Sequence, residues 1–114
     1  GAGDGKYIVY IGGAPKATSA TAFSTGAYQH FAAVSDAGTI RIYQGGVQTG
    51  SGTNADSISG SSYSASWGGY GTGPAYPDGA YAIAGRIDES RITKGVCRYP
   101  NGTTFTPPAE FPDF

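Results

Sequence analysis

Residues 28–48 read YQHFAAVSDAGTIRIYQGGVQ, and the fold is decided there. Tyr28 to Ser35 is rich in aromatic and β-compatible residues and reads as a strand. Tyr28, His30, Ala32 and Val34 fall on one face, and Gln29, Phe31, Ala33 and Ser35 on the other. Apolar residues on both faces predict a central strand. Asp36-Ala37-Gly38 carries turn chemistry, because Asp bonds its own backbone and Gly accepts a positive φ. Thr39 to Tyr43 alternates, with Ile40 and Ile42 on one side and Thr39, Arg41 and Tyr43 on the other. Gln44-Gly45-Gly46 turns the chain again, and Val47-Gln48-Thr49 returns. Residues 28–49 thus predict a three-stranded antiparallel meander.

Upstream, Lys6 to Ile11 is a β-branched and aromatic run closed by Gly12-Gly13, which predicts a strand. Residues 14–22 are mostly Ala, Thr and Ser with one Pro, and read as a connection or weak strand. Ser24-Thr25-Gly26 marks a turn, and Gly1 to Gly5 reads as a poorly ordered start. Downstream, Gly50 to Ser61 is polar, with Ile58 as its one apolar anchor. Ser62 to Trp67 alternates small and aromatic residues and reads as a strand. Gly68 to Gly79 is a loop. Tyr81–Ala84 and Arg86–Ile92 form one strand broken at Gly85, or two short ones. Thr93 to Val96 is a turn or a single helical turn. Beyond Pro100, the prolines 107, 108 and 112 impose an extended course. Phe105, Phe111 and Phe114 pin that tail to the surface of the sheets.

Composition agrees with an all-β chain and excludes several classes. The 114 residues allow one domain. Gly and Pro make up about 24% of them, and Leu and Met are absent. Gly costs roughly 1 kcal/mol per helical position relative to Ala, so bundles and coiled coils are excluded. No apolar run approaches the ~20 residues of a membrane span, and no signal segment opens the sequence. A net charge of −1 argues against non-specific nucleic-acid binding. Ile, Val and Phe total only 17, a thin supply for a core. With Cys97 as the one cysteine, an intrachain disulfide and a Cys-based zinc site are both impossible. Cys97 reads as a small buried apolar residue. Its pairing with His30, the one histidine, lacks any nucleophile motif.

The meander resembles the hairpin of laminin-G-like domains, WxHVAxVRDGGTLRLYVDGVQ, and these domains are concanavalin-A-like jelly rolls. Residues 85–99, GRIDESRITKGVCRY, are similar to the same family's GxIDExRITKGVARY strand. Phe105-Thr106-Pro107-Pro108 and Phe111-Pro112 follow as they do there. Tyr28 replaces the family's Trp, Gln44-Gly45-Gly46 its Asp-Gly turn, Ser90 an aliphatic residue and Cys97 an Ala. Asn101-Gly102 resembles a short insertion. The resemblance implies an antiparallel β-sandwich of jelly-roll type over residues 1–114, with an extended tail at about 100–114. The family's opening strands have no counterpart before Gly1, so the chain reads as the domain or its C-terminal part. Open sheet edges would then need another segment or another chain.

Candidate site residues lie mainly beyond the meander. Tyr70, Tyr76 and Tyr81 lie in the loop Gly68 to Tyr81, with Trp67 at its base. Tyr and Trp, each with an apolar body and a polar tip, suit CH–π stacking on sugars as well as bonding to their hydroxyls. The competing reading makes these rings core filling or subunit packing. Asp78 and Asp88 are the calcium candidates, as the resemblance implies, although no dense Asp/Asn loop is present. Asp88 and Glu89 are strand neighbours and point to opposite faces, whereas a glycosidase needs two converging carboxylates about 5–9.5 Å apart. Glu89 reads as an ion-pair partner of Arg91, and His30 as a hydrogen-bonded structural histidine. Asn101-Gly102-Thr103 fits a glycosylation sequon.

The resemblance therefore implies a non-catalytic module at a virion or cell surface, extracellular, binding glycan or host surface. Its alternative is a virion building block acting through subunit packing. Expected partners are other virion chains, in a homo-oligomer of three or more, and a surface glycan. Nucleic acid, membrane insertion and any cofactor other than calcium are not expected.

Overall fold

Three two-residue turns, each with positive φ at both central positions, set the register of the protein's hairpins. They are Gly12-Gly13, Ala37-Gly38 and Gly45-Gly46. Paired positive φ values are the mark of a type I′ turn, whose twist matches that of the strands it joins. The computed structural model describes residues 5–23, 26–56, 91–93, 95–99, 102 and 104–108. Two compact units divide the chain: Gly1–Ser57 with Thr93–Ala109, and Ile58–Ile92 with Glu110–Phe114. Nearly all described residues belong to the first.

Five strands run in chain order: β1 (Lys6–Ile11), β2 (Ala14–Ala22), β3 (Phe31–Asp36), β4 (Thr39–Gln44) and β5 (Val47–Thr53). β1 and β2 form one antiparallel sheet, and β3-β4-β5 forms another in that order. The meander is thus where the sequence puts it, except that β3 begins at Phe31 rather than Tyr28 and β5 runs four residues beyond Thr49. Among the described residues β4 is the central strand of this sheet and β3 pairs with β4 alone. Residues 14–22 are a full nine-residue strand rather than a connection. Residues 91–93 are not strand, so the strand expected over 86–92 does not extend through Arg91 and Ile92.

The core lies between the two sheets. Ala17, Ile40 and Ile42 are buried there, with Tyr7, Val9 and Ile11 packed against them. Each large aliphatic side chain removed from water contributes about 1.5–3 kcal/mol. Ser19, also buried, repairs an irregularity in the β1–β2 ladder between Lys6 and Ile8. Its Oγ accepts from the Tyr7 amide at 3.0 Å and donates to the Thr21 carbonyl at 2.7 Å. Buried Gln44 ties the sheets together. Its Oε1 accepts from Thr21 Oγ1 at 3.0 Å and from the Thr49 hydroxyl, and its Nε2 donates to the Ala22 carbonyl at 3.3 Å.

β5 comes unusually close to β2. A Cβ on Gly50 would collide with the Thr18 carbonyl, and one on Gly52 with the Lys16 carbonyl. The two backbones touch with no side chain between them. On its opposite face the meander is covered by the tail. The Phe105 amide donates to the Gly46 carbonyl at 2.9 Å, and the Tyr43 hydroxyl to the Tyr99 carbonyl at 2.9 Å. The expected surface-hugging tail is therefore present over residues 104–108. Phe111 and Phe114 lie outside the described residues.

Two stability measurements test this account. Gly52→Ala should lower the urea-unfolding free energy by about 3 kcal/mol, the upper end of overpacking costs, because backbone rather than a movable side chain is in the way. Ala37→Asn should raise it by about 0.5–1 kcal/mol, because Asn tolerates the left-handed conformation that Ala37 holds at φ 48.

Candidate functional site

Trp67, Tyr70, Tyr76 and Tyr81, the calcium candidates Asp78 and Asp88, and Glu89 all lie outside the described residues. What the described residues bring together are two other aromatic groupings, one on each side of the meander.

The first is a row built from three strands. Tyr7 points inward from β1, Phe23 follows β2, and Phe31 opens β3. Tyr7 stacks on Phe31 with ring centroids 4.1 Å apart and planes 22° apart. It meets Phe23 at 5.8 Å and 58°. The Phe23 amide donates to the Gly5 carbonyl at 2.8 Å, which closes the open end of the β1–β2 hairpin and holds the ring in place. Phe23 and Phe31 both remain 41% exposed. Burial pushes the pKa of the Tyr7 hydroxyl above its ordinary value. The row is hard to see in the sequence because its members are up to 24 residues apart. The available signal was Phe31, which stands on the face opposite His30.

The second grouping lies under the tail. Tyr99 and Phe105 stack at 3.7 Å with planes 3° apart. Phe105 is 5.5 Å from His30 and 5.3 Å from Tyr43. His30 meets both tail rings nearly perpendicular, the Tyr99 contact being at 6.3 Å. Tyr43 is fully buried, and that desolvation raises its pKa; the nearby Arg41 guanidinium opposes the rise. Arg41 also faces Asp36, at 3.6 Å. Three polar atoms here are buried without a hydrogen-bond partner: His30 Nδ1, Arg41 Nη1 and Gln48 Oε1. His30 Nδ1 thus makes no hydrogen bond. The aromatic rings that pack around it offer Nδ1 no acceptor or donor, and burial lowers its pKa below the ordinary value.

Elsewhere, Lys16 and Asp56 form an ion pair at 2.8 Å. Asn54 and Asp56 close a local turn through the Asn54 side chain. Cys97 is a free thiol and half-buried, so it is less enclosed than a core residue. Among the described residues no three His, Cys, Asp or Glu side chains gather at one point. No helix among them is long and apolar enough to cross a membrane.

Two antiparallel sheets packed face to face, the strands within each joined by tight hairpins, define an all-β sandwich. The family described as the concanavalin A-like lectin/glucanases superfamily matches residues 2–98. The chain belongs to that superfamily and carries a laminin-G-like jelly-roll domain. No curated protein and no solved structure matches it. The matched stretch takes in the whole meander and ends at Arg98, just before Tyr99 and the rest of the tail.

His30 gives a direct check on the covered face. Its folded pKa is depressed, so it favours folding above the unfolded value of about 6.5. That contribution is lost as pH falls through the folded pKa. An NMR titration of the single imidazole should show a midpoint below 6.5. Unfolding free energy should fall more between pH 7 and pH 5 in the native chain than in His30→Gln.

Proposed function

We propose that the chain is a non-catalytic carbohydrate-binding module that serves attachment at a virion or cell surface, outside the cell. The supporting observation is the aromatic row. Phe23 and Phe31 offer partly exposed rings, and Tyr7 keeps both from collapsing into the core. Sugars stack their apolar C–H faces on such rings, and rigid aromatic surface loses little entropy on binding. The neighbouring Thr21 and Gln44 already spend their polar groups on each other, so the row binds chiefly by stacking. Superfamily membership fits this reading, since lectins are among its members. The two described carboxylates, Asp36 and Asp56, each face a cation, which suits an ion-pair role better than acid catalysis.

A second reading, subunit packing in a homo-oligomeric virion assembly, draws on the same edge. Ala33 and Ser35 share the inner face with Ile42 and Ile40 yet are exposed. A neighbouring chain could cover them.

Titration calorimetry against an array-selected oligosaccharide separates the two. Phe31→Ala should weaken binding about tenfold, the equivalent of one good aromatic contact. Unchanged affinity together with a lower mass by light scattering would replace attachment through this row with subunit packing.

A further inference from the structure

The two exposed rings of the aromatic row are tied to each other through one buried side chain. Gln44 is the cross-strand neighbour of Phe31. Its amide reaches across to β2, where it accepts from Thr21 Oγ1 at 3.0 Å and donates to the Ala22 carbonyl at 3.3 Å. Phe23 is the next residue along the chain, and its own amide is anchored on the Gly5 carbonyl at 2.8 Å. From β5, the Thr49 hydroxyl also donates to the Gln44 amide oxygen. A buried amide that gives up such bonds is left unsatisfied, so it resists moving. Gln44 thereby fixes where Phe31 stands relative to Phe23.

The relation it fixes is a twist. Phe31 lies 22° from the plane of Tyr7, whereas Phe23 is tilted by 58° from that same plane. The two phenyl planes therefore cannot be parallel. Tyr7 meets both, so their centroids are no farther apart than its 4.1 Å and 5.8 Å spacings laid end to end. Gly5 keeps side-chain atoms off the Phe23 ring, since a Cβ there would lie 3.6 Å from Cε1 and 3.8 Å from Cζ.

This twist selects among sugar chains. Along a ribbon-like chain the apolar sugar faces lie parallel, and only parallel aromatic rings match two of them at once. Where each linkage turns one sugar against the next, two non-parallel rings match instead. A ligand that touches both gains the second contact as an intramolecular event. Rings held in position before binding also lose little on ordering.

We propose that Phe23 and Phe31 are two subsites for one soluble linear oligosaccharide whose linkages turn successive sugars, and that Gln44 is the positioning residue that sets the angle between them. The proposal rests on the carbohydrate-binding reading above and adds the shape of the ligand and its minimum length, which is more than one sugar.

The test is titration calorimetry on the full chain with maltooligosaccharides, which turn, and cellooligosaccharides, which run as ribbons. Affinity should rise at least tenfold from glucose to maltotriose and less than threefold from glucose to cellotriose. Phe23→Ala and Phe31→Ala should each return maltotriose to the glucose value. Gln44→Leu, which keeps the position filled, should weaken maltotriose at least threefold and leave glucose unchanged. A folded Gln44→Leu chain, judged by circular dichroism, that keeps the whole gain overturns the positioning role. If that variant does not fold, Thr21→Val decides in its place: it removes one bond to the Gln44 amide from an exposed residue, and the same loss is expected. Equal gains in both series, no gain with length, or no binding of any maltooligosaccharide overturns the two-ring site. The broader carbohydrate reading falls only if no sugar on an array binds, so the two failures are distinct.

Discussion

The sandwich depends on backbone touching backbone where β5 crosses β2. Gly50 and Gly52 stand against the carbonyls of Thr18 and Lys16, with no room for even a methyl group. Sheets in a sandwich ordinarily pack about 10 Å apart, the gap being filled by large aliphatic side chains. A chain without Leu or Met cannot fill such a gap evenly. Here the sheets close down on small residues at one side, Ala17, Ser19, Gly50 and Gly52. Ile40 and Ile42 fill the thicker part. The scarcity of Ile, Val and Phe is thus matched by a close approach that needs few of them.

That approach brings polar groups into the interior, and the structure satisfies most of them. Gln44 and Ser19 are buried, and both spend their capacity on neighbouring strands. The other face of the meander differs. Tyr43 is satisfied through the Tyr99 carbonyl, Arg41 Nη1 rests on its ion pair with Asp36, and His30 Nδ1 and Gln48 Oε1 make no hydrogen bond.

Much of the architecture was legible from local chemistry. Asp36-Ala37-Gly38 and Gln44-Gly45-Gly46 announced tight turns, and the alternation through Ile40 and Ile42 announced the buried face. The strand β2 was only half legible, as a connection or weak strand, because its inward positions are Ala17 and Ser19, which carry no hydrophobic period. Of the aromatic groupings, neither the exposed row nor the cluster around Phe105 could be assembled from spacing, since Tyr7, Phe23 and Phe31, like His30, Tyr43 and Phe105, meet only through folding.

By itself the sequence determined the all-β class, the meander with its turns, the membership implied by two motifs, and the exclusion of an intrachain disulfide. These follow from short-range rules: side-chain alternation, positive-φ glycines and residue counts. Tertiary structure alone decided which aromatic rings meet, which polar atoms lose their water without gaining a partner, and where glycine is required by a neighbouring backbone. Those outcomes depend on which surfaces are pressed together, and burial and contact between distant residues have no signature in local sequence.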